Sequence, residues 1–270
     1  MDVPSDQNRL ALSSIQAKNA HNRWQTEAMR SHSTARLIYF TKGQGRITVA
    51  GLTSGYGPNN LIYIPPHTMY GYEVGPMVFG HMLTIPSAVR SDWPDMPVHL
   101  RLRDVHAQNE IAGQFDALER ELNSTRGGHN RAALYMLGIL SVFFERQIEE
   151  HPPVESHARA RTSQARLVAA YTDLVERDFA SGKGVAEFAA ELGVTPTHLT
   201  RCCNQTCGRS ALAILHDRIL FDARERLRST KTPVKTIAQD LGFSSAAYFT
   251  RSFQSETGQT PSAFRKMYAV

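Results

Sequence analysis

Hydrophobic and polar positions change rhythm along this chain. Between residues 34 and 86 the apolar positions fall into short β-branched and aromatic runs: Leu37-Ile38-Tyr39-Phe40, Gly45-Arg46-Ile47-Thr48-Val49, Leu61-Ile62-Tyr63-Ile64 and Val78-Phe79-Gly80-His81-Met82-Leu83. Turn signals separate them at Lys42-Gly43, Ser54-Gly55, Gly57-Pro58-Asn59-Asn60 and Gly75-Pro76, which predicts a small antiparallel barrel. Further on the period becomes helical. Ile111, Phe115, Leu118 and Leu122 share one stripe over 109–124, and Leu134, Leu137, Ile139, Leu140, Phe143, Phe144 and Ile148 surround much of a second helix over 130–150. So much apolar surface needs a partner, and packing the two helices on each other is the simplest one.

The segment His151-Pro152-Pro153-Val154-Glu155-Ser156-His157 cannot continue a helix, because each proline lacks the amide donor and clashes with the preceding turn. Residues 151–159 are expected to form an interdomain linker, where a change in domain orientation would be absorbed.

Beyond the linker one pattern occurs twice. Val185, Ala189 and Leu192-Gly193 match Val234, Ala238 and Leu241-Gly242. In each copy glycine ends one helix by taking the left-handed conformation, and a hydroxyl residue caps the next: Thr195, followed by Pro196, in the first, and Ser244 or Ser245 in the second. Phe249 and Phe253, four apart, face inward, while Ala247, Tyr248 and Arg251 point elsewhere. A short helix with one apolar face and one small, polar, basic face suits a DNA major groove, where Arg251 can meet guanine bidentately or clamp a phosphate.

On Ile237-Ala238, Leu241-Gly242-Phe243, Tyr248-Phe249, Arg251-Ser252-Phe253, Gly258, Thr260-Pro261 and Phe264-Arg265, residues 160–268 resemble the DNA-binding domain of AraC/XylS transcription regulators. The resemblance implies seven helices, a central one at about 210–229, and two reading helices in successive major-groove faces about 34 Å apart. It implies Thr197, Thr200 and Arg201 in the first, and Ala247, Tyr248 and Arg251 in the second, as base-facing positions. The barrel resembles the cupin-like sensory domain that precedes this domain in many members. The implied architecture is α+β: a cupin-like effector-binding barrel over 1–108, a helical dimerisation and coupling segment over 109–150, the linker, and an all-α domain with two helix-turn-helix motifs over 160–270. The implied function is a transcription regulator, an activator, acting as a homodimer on double-stranded promoter DNA together with RNA polymerase.

Charge agrees with that division. Of the formal net charge of +5, residues 157–270 hold 16 basic against 10 acidic residues, a net of +6, while residues 1–156 hold 14 against 15, a net of −1. DNA binding is therefore expected to weaken steeply with salt. The 41% apolar content without a long uncharged apolar run suggests a soluble protein with no membrane partner. Residues 1–20 lack an apolar signal core, and the three cysteines, Cys202, Cys203 and Cys207, make no disulfide framework, so a reducing cytoplasm is expected. Cys203 aligns with Phe253 and is expected to replace a core aromatic. Cys203 and Cys207 could in principle share a soft metal or respond to oxidant, but no third or fourth ligand is evident.

Metal-binding cupins carry a His-x-His pair, a downstream carboxylate and a later histidine. Here His32 is followed by Thr34, no acidic residue lies between Glu27 and Glu73, and Tyr70 stands in place of the last histidine. No metal, no cofactor and no enzymatic activity are expected, an enzyme with an accessory helical domain being the rival. A barrel binding a small organic effector, of aromatic or amphipathic kind, fits better. Its candidate residues are Tyr39, Tyr63, His67, Tyr70, Tyr72, His81 and Met82, with Arg36 or Arg46 facing a ligand carboxylate. A third alternative is a regulator without effector, which an interior filled by side chains would favour.

Overall fold

A computed structural model describes residues 9–17, 22–151 and 162–268. The linker expected at 151–159 falls, apart from His151, outside the described residues. The N-terminal strands are β1 (Ala11–Ile15), β2 (Ala35–Lys42), β3 (Gly45–Val49), β4 (Leu52–Tyr56), β5 (Asn60–Ile64), β6 (Tyr70–Tyr72), β7 (Phe79–Ile85) and β8 (Val98–Arg101), with a short helix α1 (Trp24–Glu27) after β1. They form two antiparallel sheets, ordered β1-β7-β2-β5-β8 and β4-β3-β6.

The five-stranded sheet is covered on both faces. Leu37, Tyr39, Leu61, Tyr63, Leu83 and Ile85 pack toward α2 (Val105–Leu122) and α3 (His129–Glu150), in one core with Ile111, Phe115, Leu137 and Phe144. The alternate residues, Ile38, Phe40, Ile62 and Ile64, turn to the three-stranded sheet and meet Ile47, Tyr56, Tyr70 and Tyr72. Side chains alternate along a strand, so parity alone assigns each residue to one core or the other. Asp104 Oδ2 accepts from the Ala107 amide at 2.8 Å and starts α2 at Val105, ahead of the expected 109.

The second domain has seven helices among the described residues: α4 (Ser163–Asp178), α5 (Val185–Glu191), α6 (Pro196–Cys207), α7 (Ala211–Ser229), α8 (Val234–Asp240), α9 (Ala246–Thr257) and α10 (Pro261–Tyr268). Helix α7 spans two cores. One gathers Val168, Tyr171, Phe188, Leu199 and Cys203 with Ile214, and the other gathers Ile237, Leu241, Phe249, Phe253 and Phe264 with Leu227. A buried ion pair, Arg218 Nε to Glu176 Oε2 at 2.6 Å, ties α7 to α4.

The segment after β1 joins the two domains. Trp24 and Ala28 belong to the core around Phe249 and Phe264, and Met29 and Met69 to the core around Tyr171. The Met29 amide donates to Asp217 Oδ2 at 3.3 Å, and Arg209 Nη2 donates to the Glu27 carbonyl at 2.8 Å. Gly71 permits this approach, since a Cβ there would stand 2.8 Å from the Glu27 carbonyl oxygen.

Candidate DNA interface and effector site

In each helix-turn-helix the turn follows from its glycine. Gly193 has φ +68° and Gly242 φ +78°, in the left-handed region open to glycine. The caps are Thr195, whose Oγ1 accepts from the His198 amide at 3.2 Å, and Ser245, whose Oγ accepts from the Tyr248 amide at 3.1 Å. Of the two serines offered by the sequence, the structure uses Ser245. Leu199 and Cys203 on α6, and Phe249 and Phe253 on α9, are fully buried and orient the opposite faces outward.

Thr197, Arg201, Ala247, Tyr248 and Arg251 lie on the exposed faces of α6 and α9, with Thr200 half-buried. Tyr248 is 53% exposed and packs partly on Phe243, 5.8 Å between ring centres. Arg201 Nη2 lies 2.9 Å from His198 Nδ1. Arg251 makes no ion pair among the described residues. Burial pushes the Cys203 thiol up to about 12 and raises that of Cys207, so both are neutral small hydrophobes rather than reactive thiolates.

The nine effector candidates separate into three groups. Arg36, Tyr70, Tyr72 and Met82 lie on the side between the two sheets. Tyr39, Tyr63 and His81 do not: they have the opposite parity and face the helices, Tyr39 and His81 lying 5.1 and 5.6 Å from the Phe115 ring and Tyr63 stacking on Trp93 at 5.4 Å. Burial pushes the Tyr63 hydroxyl up to about 12, as expected of a core tyrosine. Arg46 and His67 are outside altogether. Arg46 is exposed and pairs with Glu73 at 2.8 Å, and exposed His67 lies 3.8 Å from Glu176 of α4.

Between the sheets, Phe40 stacks on Tyr56 at 3.7 Å and Tyr70 runs parallel to Tyr72 at 6.4 Å. Neither Phe40 nor Tyr56 was among the candidates, nor were Arg30 and His32, which lie against Tyr70. The missing signal is alternation: β2 and β5 are buried on both faces, so hydropathy does not separate their two sides. Burial among Arg36, Arg30 and Arg218 holds the His32 imidazole well below its usual value, an environment hostile to a metal cation. No group of three or more His, Cys, Asp or Glu able to hold a metal occurs among the described residues.

Two family models match the chain in this order: an AraC-like ligand binding domain over residues 14–137 and a helix-turn-helix domain over residues 188–267. The chain belongs to the AraC/XylS family of transcription regulators. It is similar to the arabinose operon regulatory protein of Escherichia coli, 23% identical over 241 residues, covering 83% of this chain and 77% of that one. The virulence regulon transcriptional activator VirF of Yersinia enterocolitica is 32% identical over 91 residues, 34% of each chain. Fatty-acid-bound ToxT of Vibrio cholerae covers 96% of this chain at 14% identity and a TM-score of 0.45. This regulator thus combines a ligand-binding domain with a DNA-binding one. No helix among its described residues is long and apolar enough to cross a membrane.

Proposed function

We propose that this regulator is a cytoplasmic, dimeric transcription activator. It reads promoter DNA through α6 and α9, meets RNA polymerase there, and is controlled by a small organic effector held by the N-terminal domain. The observation that carries this is the matched orientation of two short helices in one domain. Each buries its apolar face in the core of its own motif and leaves a small, hydroxyl or basic face outward. Thr197, Thr200, Arg201, Ala247, Tyr248 and Arg251 are the base-facing set. Residues 1–108, 109–150 and 160–270 act as sensor, coupling segment and DNA reader.

The dimer rests on α3. Tyr135, Ile139 and Val142 are 68%, 60% and 43% exposed along one helical stripe and border a cavity of about 430 Å³ whose other walls include Glu110 and Arg146. An apolar strip with one acid and one base beside it suits pairing with a copy of itself. Sedimentation of the full chain tests this, with Ile139→Glu expected to yield monomer.

Selection of bound duplexes from a random pool, followed by footprinting, tests the whole proposal. The expected result is two contact clusters one helical turn apart and an affinity that falls linearly on a log–log plot against salt. Equal binding to all sequences would remove the regulator assignment. An effector-independent regulator is the second reading, favoured by the close Phe40–Tyr56 stacking between the sheets.

A further inference from the structure

Two arginines, Arg30 beside β6 and Arg36 on β2, are buried on the side of the barrel near the DNA-binding domain, and among the described residues no carboxylate pairs with either. Arg30 is 2% exposed and Arg36 7%. Arg30 Nη1 donates to the carbonyls of Thr26 at 2.7 Å and Ala28 at 3.1 Å, and the guanidinium lies 4.5 Å from the Tyr70 ring centre and 5.2 Å from that of Tyr72. Arg36 Nη1 donates to Thr34 Oγ1 at 2.6 Å and to the Ala35 carbonyl at 3.1 Å. Among the described residues neither forms an ion pair, and residues 28–72 contain no acid at all. His32 stands beside them, 5.9 Å from Tyr70 and 6.0 Å from Phe221 of α7.

Burying a charge without a counter-charge is costly, and the cation–π contacts return only part of that cost. We propose that Arg30 and Arg36, beside Tyr70 and Tyr72, form the recognition site for the carboxylate head of an organic-acid effector. The inference rests on the effector-controlled reading above and names the chemical class of the effector. A planar guanidinium fork matches a carboxylate, and the neighbouring Ile38, Phe40 and Met82 suit an apolar body. A neutral polyol would leave both charges uncompensated.

The site also carries a route to the DNA-binding domain. The carbonyls that hold Arg30 belong to the segment whose Trp24 is inserted beside Phe221 and Phe264. A carboxylate on Arg30 competes with those carbonyls and loosens the segment. Effector binding and Trp24 docking therefore oppose each other, and the free energy of one is set against the other.

The test titrates the full chain with sodium benzoate and sodium decanoate. Benzamide and decanamide serve as neutral partners, with sodium chloride at matched ionic strength. Melting temperature and tryptophan emission are read for the wild type, Arg30→Gln, Arg36→Gln, Arg36→Lys and Trp24→Phe. One of the acids, and neither amide, is expected to raise the melting temperature saturably. Its apparent Kd is expected to weaken about tenfold or more in Arg36→Gln, with partial recovery in Arg36→Lys. A red shift of emission on binding, absent in Trp24→Phe, is expected from release of Trp24. Equal effects of acid and amide, or unchanged binding in both glutamine variants, overturn the assignment. So does no response to either acid from a chain that still binds DNA, an outcome that leaves the DNA-binding proposal standing. A response to neutral sugars alone removes the acid class while keeping effector control. Binding without the emission change overturns the coupling.

Discussion

Trp24 lies edge-on to Phe221, with ring centres 5.8 Å apart and planes at 62°. The first residue precedes the barrel's central strands and the second lies on the central helix of the DNA-binding domain. Phe264 at 6.1 Å and the Arg224 guanidinium at 5.0 Å complete the socket. Trp24→Ala is expected to remove on the order of 3 kcal/mol of interdomain packing, at the low end for a buried tryptophan. Calorimetry is then expected to resolve two transitions in the variant and one in the wild type. A single, unshifted transition would refute this.

Gly242 occupies a turn that admits no side chain. Its φ is +78°, and a Cβ would stand 2.4 Å from the Gly182 amide nitrogen and 2.7 Å from the Ala180 carbonyl oxygen. Strain of this kind costs about 1–3 kcal/mol before the clash is added. Gly242→Ala should lower the denaturation midpoint clearly. Gly193→Ala should cost less, because no heavy atom outside its neighbours lies within 4 Å of a Cβ there. Equal losses in the two variants would contradict the steric account.

Arg251 is exposed on the outer face of α9. If it reads a base, Arg251→Ala should cost about 1–3 kcal/mol of specific binding and relax the preference at one position. A phosphate contact instead would weaken all sequences alike and reduce the salt slope. Operator affinity equal to wild type at every salt concentration would remove it from the interface.

His99 fastens β8 to its neighbours, its Nε2 lying 2.6 Å from Asn60 Oδ1 and its Nδ1 3.3 Å from Ser54 Oγ. Burial lowers its folded-state value to about 4, below the ordinary 6.5 of the unfolded chain. The unfolded state therefore binds the proton first. This contribution is fully present above pH 6.5 and is lost as the pH falls toward 4, by at most about 3 kcal/mol. Melting curves at pH 7 and 4.5 should converge in His99→Gln relative to wild type. An identical acid sensitivity in the variant would assign it to other groups.

Much of the DNA-binding domain was legible in advance. Its turns depend on local chemistry: Gly193 and Gly242 require positive φ, Thr195 and Ser245 supply caps, and Phe249 and Phe253 repeat at helical spacing. Each is decided by residues within one turn of one another, which is why sequence spacing specifies them. The strand runs around Ile38, Ile47, Ile62 and Met82 were legible for the same reason. Strands β1, β4, β6 and β8 were not singled out; β6 is only three residues long and gains its definition by pairing with β3.

The sequence by itself determined the two helix-turn-helix motifs, the basic half and the presence of a β domain, because these are set by local periodicity, capping and charge count. Only the tertiary structure decided that Tyr39, Tyr63 and His81 turn toward α2 and α3 while Arg36, Tyr70 and Tyr72 turn between the sheets. A strand buried on both faces has no polar side from which to read its orientation. Only it brought Arg30 to Tyr70 and Trp24 to Phe221, contacts between segments 40 and 197 residues apart. Such distant pairings are fixed by the packing of whole elements, which no local spacing encodes.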